Sequence, residues 1–362
     1  MQDFKSITDS RISSFRHKLK EKDLDGALIT KRENYIYLSG FTGTSAVLVI
    51  TQKEAVLVTD FRYVTQASQQ APSFKIEQYT GSMLAALETM IKKFSLSRIG
   101  FEEEVVSYKA YTEYKSKFGK TELVPLEGVI ERLRAVKSSY ELEIIKEAVK
   151  IADRAFDHIL QYIKPGVSEI EIASELEHFI KKQGAKGTSF DTIVASGERA
   201  SMPHGVASEK KVSNGDVITM DFGALYKEYC SDMTRTVFLG QPREELKKIY
   251  NIVLEAQLEA IEGAHAGKTG REIDRIARDI IYSNGYNNNF GHGLGHCVGL
   301  EIHEEPRLSP MGNIQMENGM TVTVEPGIYV EGLGGVRIED IILINDDKPL
   351  ILTSSPKEMI IL

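Results

Sequence analysis

Two stretches of this sequence end alike. Asn214-Gly215 opens a β-branched run that closes on Asp221-Phe222-Gly223, and Asn318-Gly319 opens another that closes on Glu325-Pro326-Gly327, at an offset of 104 residues. A second carboxylate follows each: Asp232 comes 11 residues after Asp221, and Glu339 comes 14 after Glu325. Turn-forming residues separate the members of each pair, so each pair is expected on a hairpin, where carboxylates on neighbouring strands face one another with Cβ atoms ~5 Å apart. Taken singly, any of these acids can cap a turn or face water. Four gathered in the interior of one domain cannot all ionise without a compensating cation, and a divalent metal is the economical one. Of the eight histidines, His292, His296 and His303 fall within twelve residues of a glycine-rich segment, and His204 sits in Ser201-Met202-Pro203-His204-Gly205. An isolated histidine is more often structural than catalytic, but beside four acids at least one imidazole is expected to be a ligand. Mixed oxygen and nitrogen donors suit Mn²⁺, Co²⁺, Fe²⁺ or Zn²⁺; a structural zinc site prefers thiolates, and Mg²⁺ or Ca²⁺ needs no nitrogen. Two such ions about 3.5 Å apart can hold a reactive water and polarise a carbonyl together. That is hydrolase chemistry.

The elements that must position these residues are themselves repeated. Gly166, Ser168, Glu171 and Ile172 recur as Gly267, Thr269, Glu272 and Ile273, at an offset of 101. Each set predicts a helix opened by a capping box, in which the hydroxyl and the Glu satisfy orphan amides reciprocally, and the two helices are expected to end at Gly184 and Gly285. Long helical patterns precede them, over 138–163 and about 243–262. Colinear repeats of this kind imply two similar units packed about a pseudo-two-fold axis, neither able to bury its sheet face alone. Ahead of them, residues 26–30, 35–38, 46–50, 55–59, 98–101 and 122–124 read as strands, and 11–22, 61–70, 82–95 and about 107–117 as helices. Alternation of that kind predicts a mixed or parallel sheet covered by helices. The boundary is expected near 133–138, dividing an α/β domain, 1–132, from an α+β catalytic domain, 133–362. The first carries neither a phosphate-cradling glycine loop nor a cluster of metal ligands.

A length of 362 residues is enough for about two domains, and 42% apolar with 27% charged residues is ordinary globular composition. A net charge of −8 argues against nucleic acid or an anionic membrane as the main partner. Two cysteines, Cys230 and Cys297, supply no disulfide framework and suit a reducing compartment; both read as small buried apolar residues. The N-terminus lacks the apolar core of a signal peptide, and the longest aliphatic stretch, Ala46–Ile50, is far short of a membrane span, so a cytoplasmic location is expected.

The set Asp221, Asp232, His296, Glu325 and Glu339, in that order and spacing, resembles the pita-bread metallopeptidases, the family of methionine aminopeptidase, aminopeptidase P and prolidase. The resemblance spans the second domain, and the first resembles the smaller domain of the creatinase, prolidase and aminopeptidase P branch. It implies a pita-bread fold with internal duplication and two divalent metals, manganese first among the candidates. Asp221 would serve one metal, His296 and Glu325 the other, and Asp232 and Glu339 would bridge. It further implies hydroxide attack from between the metals, Glu325 as proton shuttle, and His204 and His303 hydrogen-bonding the scissile amide. Arg307 and Arg337 would lie near the substrate, and His292 would orient a ligand. The presence of the first domain favours the proline-directed branch. The expected reaction is therefore cleavage between an N-terminal residue and a following proline in small peptides, by a homodimer. Whether dipeptides or longer peptides are preferred stays open, with Arg307 leaning toward dipeptides. The alternatives are a methionine aminopeptidase-like or other exopeptidase, a metal-free creatinase-like enzyme, and a non-catalytic binding protein.

Overall fold

The computed structural model describes residues 4–362. The chain divides between Arg134 and Ala135 into two compact units. The first carries a mixed sheet of β1 (Gly26–Ile29), β2 (Val47–Thr51), β3 (Ala55–Thr59), β4 (Lys75–Gln78), β5 (Arg98–Phe101) and β6 (Glu122–Pro125), in the order β4-β3-β2-β1-β5-β6. Helices α1 (Phe4–Glu21), α2 (Arg32–Ser39), α3 (Val64–Gln70), α4 (Met83–Lys93), α5 (Tyr108–Lys117) and α6 (Val129–Ala135) complete it. Strand residues Leu28, Val49, Val58 and Ile99 pack with Leu87 and Ile91 of α4 as its core.

Residues 35–38, expected as a strand, instead lie inside α2. All of Asn34–Ser39 is buried, so the run shows neither a strand nor a helix period and only its ends decide. At the start, the backbone N–H of Lys31 donates to the distant Glu102 carboxylate at 2.7 Å. At the finish, Gly40 takes the left-handed conformation, φ 81°, and bonds back to the Ile36 carbonyl. Strand β4 and helix α6 were not anticipated; β4 is a half-exposed edge strand without apolar alternation.

The second unit is duplicated. Its first copy runs α7 (Ser139–Tyr162), α8 (Glu169–Lys182), β7 (Gly187–Thr188), β8 (Ile193–Ser196), β9 (Val217–Phe222), β10 (Ala224–Tyr226), β11 (Tyr229–Cys230) and β12 (Met233–Phe238). Its second runs α9 (Glu244–Glu262), α10 (Gly270–Ser283), β13 (Gly295–Cys297), β14 (Glu304–Leu308), β15 (Thr321–Val324), β16 (Gly327–Val330), β17 (Gly334–Arg337) and β18 (Asp340–Leu343), with β19 (Leu350–Ile351) and β20 (Ile360–Ile361) closing the chain. Ser138, Ser168 and Thr269 all form complete capping boxes with Glu141, Glu171 and Glu272. Antiparallel β8-β9-β12 in one sheet corresponds to β13-β15-β18 in the other. Helices α7 and α8 pack against the first sheet and α9 and α10 against the second, the latter core also taking in Ala200, Val217 and Phe238 from the first copy. The sheets are stitched where β12 meets β17 and β18. The Glu339 N–H donates to the Thr234 carbonyl at 3.1 Å, and the Thr236 hydroxyl to the Arg337 carbonyl at 2.9 Å. Buried Arg235 reaches Asp340 at 2.7 Å, and burial of the Asp340 charge is outweighed by Arg235 and Lys357, which hold its pKa low. No described helix is long and apolar enough to cross a membrane.

Candidate active site

The carboxylates come from the strand ends at this seam. Asp221 is the next-to-last residue of β9, Asp232 precedes β12, Glu325 follows β15 and Glu339 precedes β18. In the second copy, the Val324–Asp340 pairing continued by one residue sets Glu325 opposite Glu339, as expected of a hairpin. The first copy departs from that expectation, because Asp221 lies opposite Thr234, two residues beyond Asp232. The cause is local: 224–230 fold into their own small hairpin, turned at Lys227-Glu228, and Asp232 occupies the return before β12 resumes. His296 sits at the middle of β13, facing these acids.

Asp232, His296 and Glu339 each offer a ligand atom within 4.8 Å of the others. His296 Nε2 stands 3.6 Å from Asp232 Oδ2 and 3.4 Å from Glu325 Oε1. Its Nδ1 lies 3.1 Å from the Cys297 carbonyl, which can only accept, so the proton belongs on Nδ1 and the Nε2 lone pair is turned toward the acids. Burial first, then His303, lowers the His296 pKa to about 3, so the ring stays neutral. On the protein's charges alone, burial and then the neighbouring acids push Asp232 and Glu339 well above the ordinary carboxylate range. Burial raises Glu325 to about 8 despite Arg337.

Arg337 is the buried hub of this cluster. Its Nη2 donates to Asp221 Oδ2 at 2.7 Å, Nε to the Thr234 hydroxyl at 2.9 Å, and Nη1 to the Tyr329 hydroxyl at 2.9 Å and the Pro203 carbonyl at 3.2 Å. The Thr234 hydroxyl in turn donates to Glu339 Oε2 at 2.6 Å. Burial opposes the Arg337 charge, yet Tyr329 and the surrounding acids outweigh it and raise the pKa. Tyr329 lies 2.9 Å from His292 Nε2, and His292 Nδ1 lies 2.7 Å from the Gly293 carbonyl. The neutral ring thus accepts a hydrogen bond from the Tyr329 hydroxyl at Nε2, in keeping with a His292 pKa lowered to about 4 by burial and then Arg337. His292 therefore acts on the acids only through Tyr329 and Arg337.

The remaining predicted residues flank this cluster. His303 is exposed and sets its ring edge-on to His296, centroids 4.4 Å apart. His204 is exposed on the loop whose Pro203 carbonyl Arg337 holds. Arg307 lies opposite His296 across β13–β14, and its guanidinium pairs with Glu305 at 3.3 Å where both side chains are more than half exposed, a pairing worth ~0–1 kcal/mol. Cys297 turns to the opposite, buried face, where burial pushes its thiol up to about 12, and Cys230 is buried too. Tyr329, Thr234 and Thr323, which donates to Glu325 at 3.3 Å, escaped the sequence reading. The signal for Tyr329 lies in its neighbours: Gly335 pairs with it across the β16–β17 hairpin and Gly327 precedes it by two on the same strand, and a Cβ would come within 2.8 Å of the tyrosine ring at Gly335 and 2.4 Å of its hydroxyl at Gly327.

Residues 143–346 match the model of metallopeptidase family M24, and residues 11–136 match that of the creatinase/prolidase N-terminal domain. The chain belongs to family M24. It is 47% identical over 352 residues to the uncharacterized peptidase YqhT of Bacillus subtilis (strain 168), covering 97% of this chain and 100% of that protein. Among solved M24 structures, it matches the Xaa-Pro dipeptidase from Bacillus anthracis with a TM-score of 0.96 and 49% identity, over 98% of this chain and 100% of that one. It matches the X-Pro aminopeptidase from Thermotoga maritima with a TM-score of 0.90 and 39% identity, over 96% of this chain and 100% of that one. The fold is accordingly a creatinase-type N-terminal domain followed by an M24 pita-bread domain.

Membership in M24 implies divalent metal ions, and the residues present fit them. Asp221 Oδ1 is buried without a hydrogen-bond partner among the described residues, although Oδ2 is held by Arg337. The donor set is hard oxygen plus one neutral imidazole.

Proposed function

We propose that this chain hydrolyses the peptide bond between an N-terminal residue and a following proline, as an Xaa-Pro dipeptidase or aminopeptidase. The observation that carries the reading is the buried convergence of Asp232, His296 and Glu339 beside an Asp221 oxygen that has no hydrogen-bond partner among the described residues. Two divalent ions, with manganese favoured, would be held by Asp221, Asp232, His296, Glu325 and Glu339, with Asp232 and Glu339 shared. When bound, such a pair supplies a water acidified toward neutrality and a Lewis acid for the scissile carbonyl. The chain's own groups do the rest. The Glu325 carboxylate would accept the proton that the attacking water sheds and deliver it to the leaving nitrogen. His204 and His303 donate hydrogen bonds to the scissile amide as its charge develops. Arg337 fixes Asp221 and, through Thr234, Glu339. Arg307 offers a cation to a free carboxylate, which favours dipeptides. The domain division near residue 132, a homodimer and a cytoplasmic location belong to the same proposal; two buried free thiols suit a reducing compartment.

The test is metal analysis together with hydrolysis of Ala-Pro and Ala-Pro-Ala. Arg307→Ala is expected to raise KM for Ala-Pro more than for Ala-Pro-Ala. A chain that binds no divalent metal and cleaves neither peptide refutes the proposal.

A further inference from the structure

The two copies differ at one helix start. In the first, the N–H groups of Glu169 and Ile170 donate to the carbonyls of Lys210 and Ser208, at 3.0 and 3.1 Å. In the second, those of Gly270 and Arg271 donate to Ile314 and Gly312, at 3.2 and 2.7 Å, positions 104 residues further on. The backbone frame is thus the same, but the first helical residue is Glu169 in one copy and Gly270 in the other. A Cβ on Gly270 would stand 2.0 Å from the Arg307 carbonyl, because strand β14 packs straight onto that helix end. The first copy has no strand in that place. It has a 3₁₀ turn, Gly197–Ser201, and the loop that follows to residue 207 and carries His204, and the space is filled by the Glu169 side chain, fully buried.

We propose that Glu169 is a positioning residue that holds His204 on its loop. Its Oε1 accepts from the Ser196 N–H at 2.7 Å and hydroxyl at 2.8 Å; its Oε2 accepts from the Ser208 N–H at 3.0 Å, the Ser208 hydroxyl at 2.6 Å and Arg199 Nε at 3.0 Å. One carboxylate therefore ties both stems of the loop together. Arg199 extends the clamp inward, its Nη2 donating to the Val206 carbonyl at 2.7 Å, and the Val206 N–H returns to the His204 carbonyl at 2.9 Å. Val206 also bridges to Ile193, the residue paired with Asp221 on its other side. Every donor around Glu169 points at an oxygen, so an amide placed there must face a donor with a donor. The carboxylate stands in for the strand that rigidifies the equivalent place in the second copy.

This inference rests on the reading of His204 as a contact to the scissile amide. Its test is a double-mutant cycle on the full chain loaded with manganese, with Ala-Pro as substrate. Glu169→Gln is expected to lower kcat/KM ~10–100-fold, the scale of a misplacement of about 1 Å, chiefly through kcat and with bound manganese unchanged. In a His204→Ala background the same change is expected to cost less than about twofold, because the residue being positioned is gone. Equal losses in both backgrounds overturn the inference. If Glu169→Gln does not fold, Ser208→Ala, which removes a single hydroxyl from the stem, carries the same cycle with an expected loss of about threefold, and additivity there overturns it equally. If the unaltered chain cleaves neither Ala-Pro nor Ala-Pro-Ala, the functional reading fails and the inference falls with it, an outcome distinct from additivity in an active enzyme.

Discussion

Stripping the metals with a chelator turns the buried acids into a measurable pH dependence. Glu325 has its folded pKa raised from 4.5 to about 8, so the stability it contributes is fully present below 4.5 and is lost as pH rises toward 8. His292 and His296 work in the opposite sense. Their folded pKa values are lowered from 6.5 to about 4 and about 3, so their contribution is complete above 6.5 and is lost as pH falls below it. Between pH 6.5 and 8 the histidines are silent and the acids are not. One retained proton changes stability by ~1.4 kcal/mol per pH unit, so Glu325 alone removes about 2 kcal/mol across that window. Asp232 and Glu339, both shifted upward, add in the same direction. For a unit the size of Ala135–Leu362, a loss of about 2 kcal/mol corresponds to a fall of ~4–8 °C in Tm. Differential scanning calorimetry of the stripped chain at pH 6.5 and 8, at matched ionic strength, measures it. Reloading with manganese is expected to abolish or reverse the trend, since ligands must shed protons to bind. A stripped chain whose melting temperature is flat or rises over this window would refute the charge arrangement on which the metal assignment depends.

Asp232→Ala and Glu339→Ala are each expected to lose metal and activity together while residues 4–134 keep their fold; full activity in either contradicts a shared ligand, and metal analysis beside circular dichroism decides it. His303→Ala is expected to lower kcat by ~10²-fold or more at unchanged metal content, as for a lost transition-state donor, and parallel loss of metal would reduce it to a structural role.

Much of this was legible along the chain because it is written in local rules. The capping boxes at Ser168 and Thr269, the helices they open and the Asn-Gly-launched strands need only neighbours a few residues away, and the repeat offsets of 101 and 104 disclose the duplication. Helix α2 is illegible for the opposite reason: the amide at its N-cap, Lys31, is taken by Glu102, far along the chain, and its apolar run is buried throughout. The pairing of Asp221 with Thr234 rather than Asp232 likewise follows from a bulging hairpin whose depth no spacing specifies.

Residue type and order alone single out the side chains expected to meet a hard divalent cation, four carboxylates on two related strand pairs and a histidine outside them. Only the folded chain decided how they are held. Arg337 reaches Asp221, Thr234, Tyr329 and Pro203 at once, and Glu169 fastens both stems of the His204 loop, because packing brings together groups separated by up to 134 residues. Such contacts carry no periodicity. Their energy comes from burying charge where water cannot compete, and burial is a property of the assembled fold, not of any segment in it.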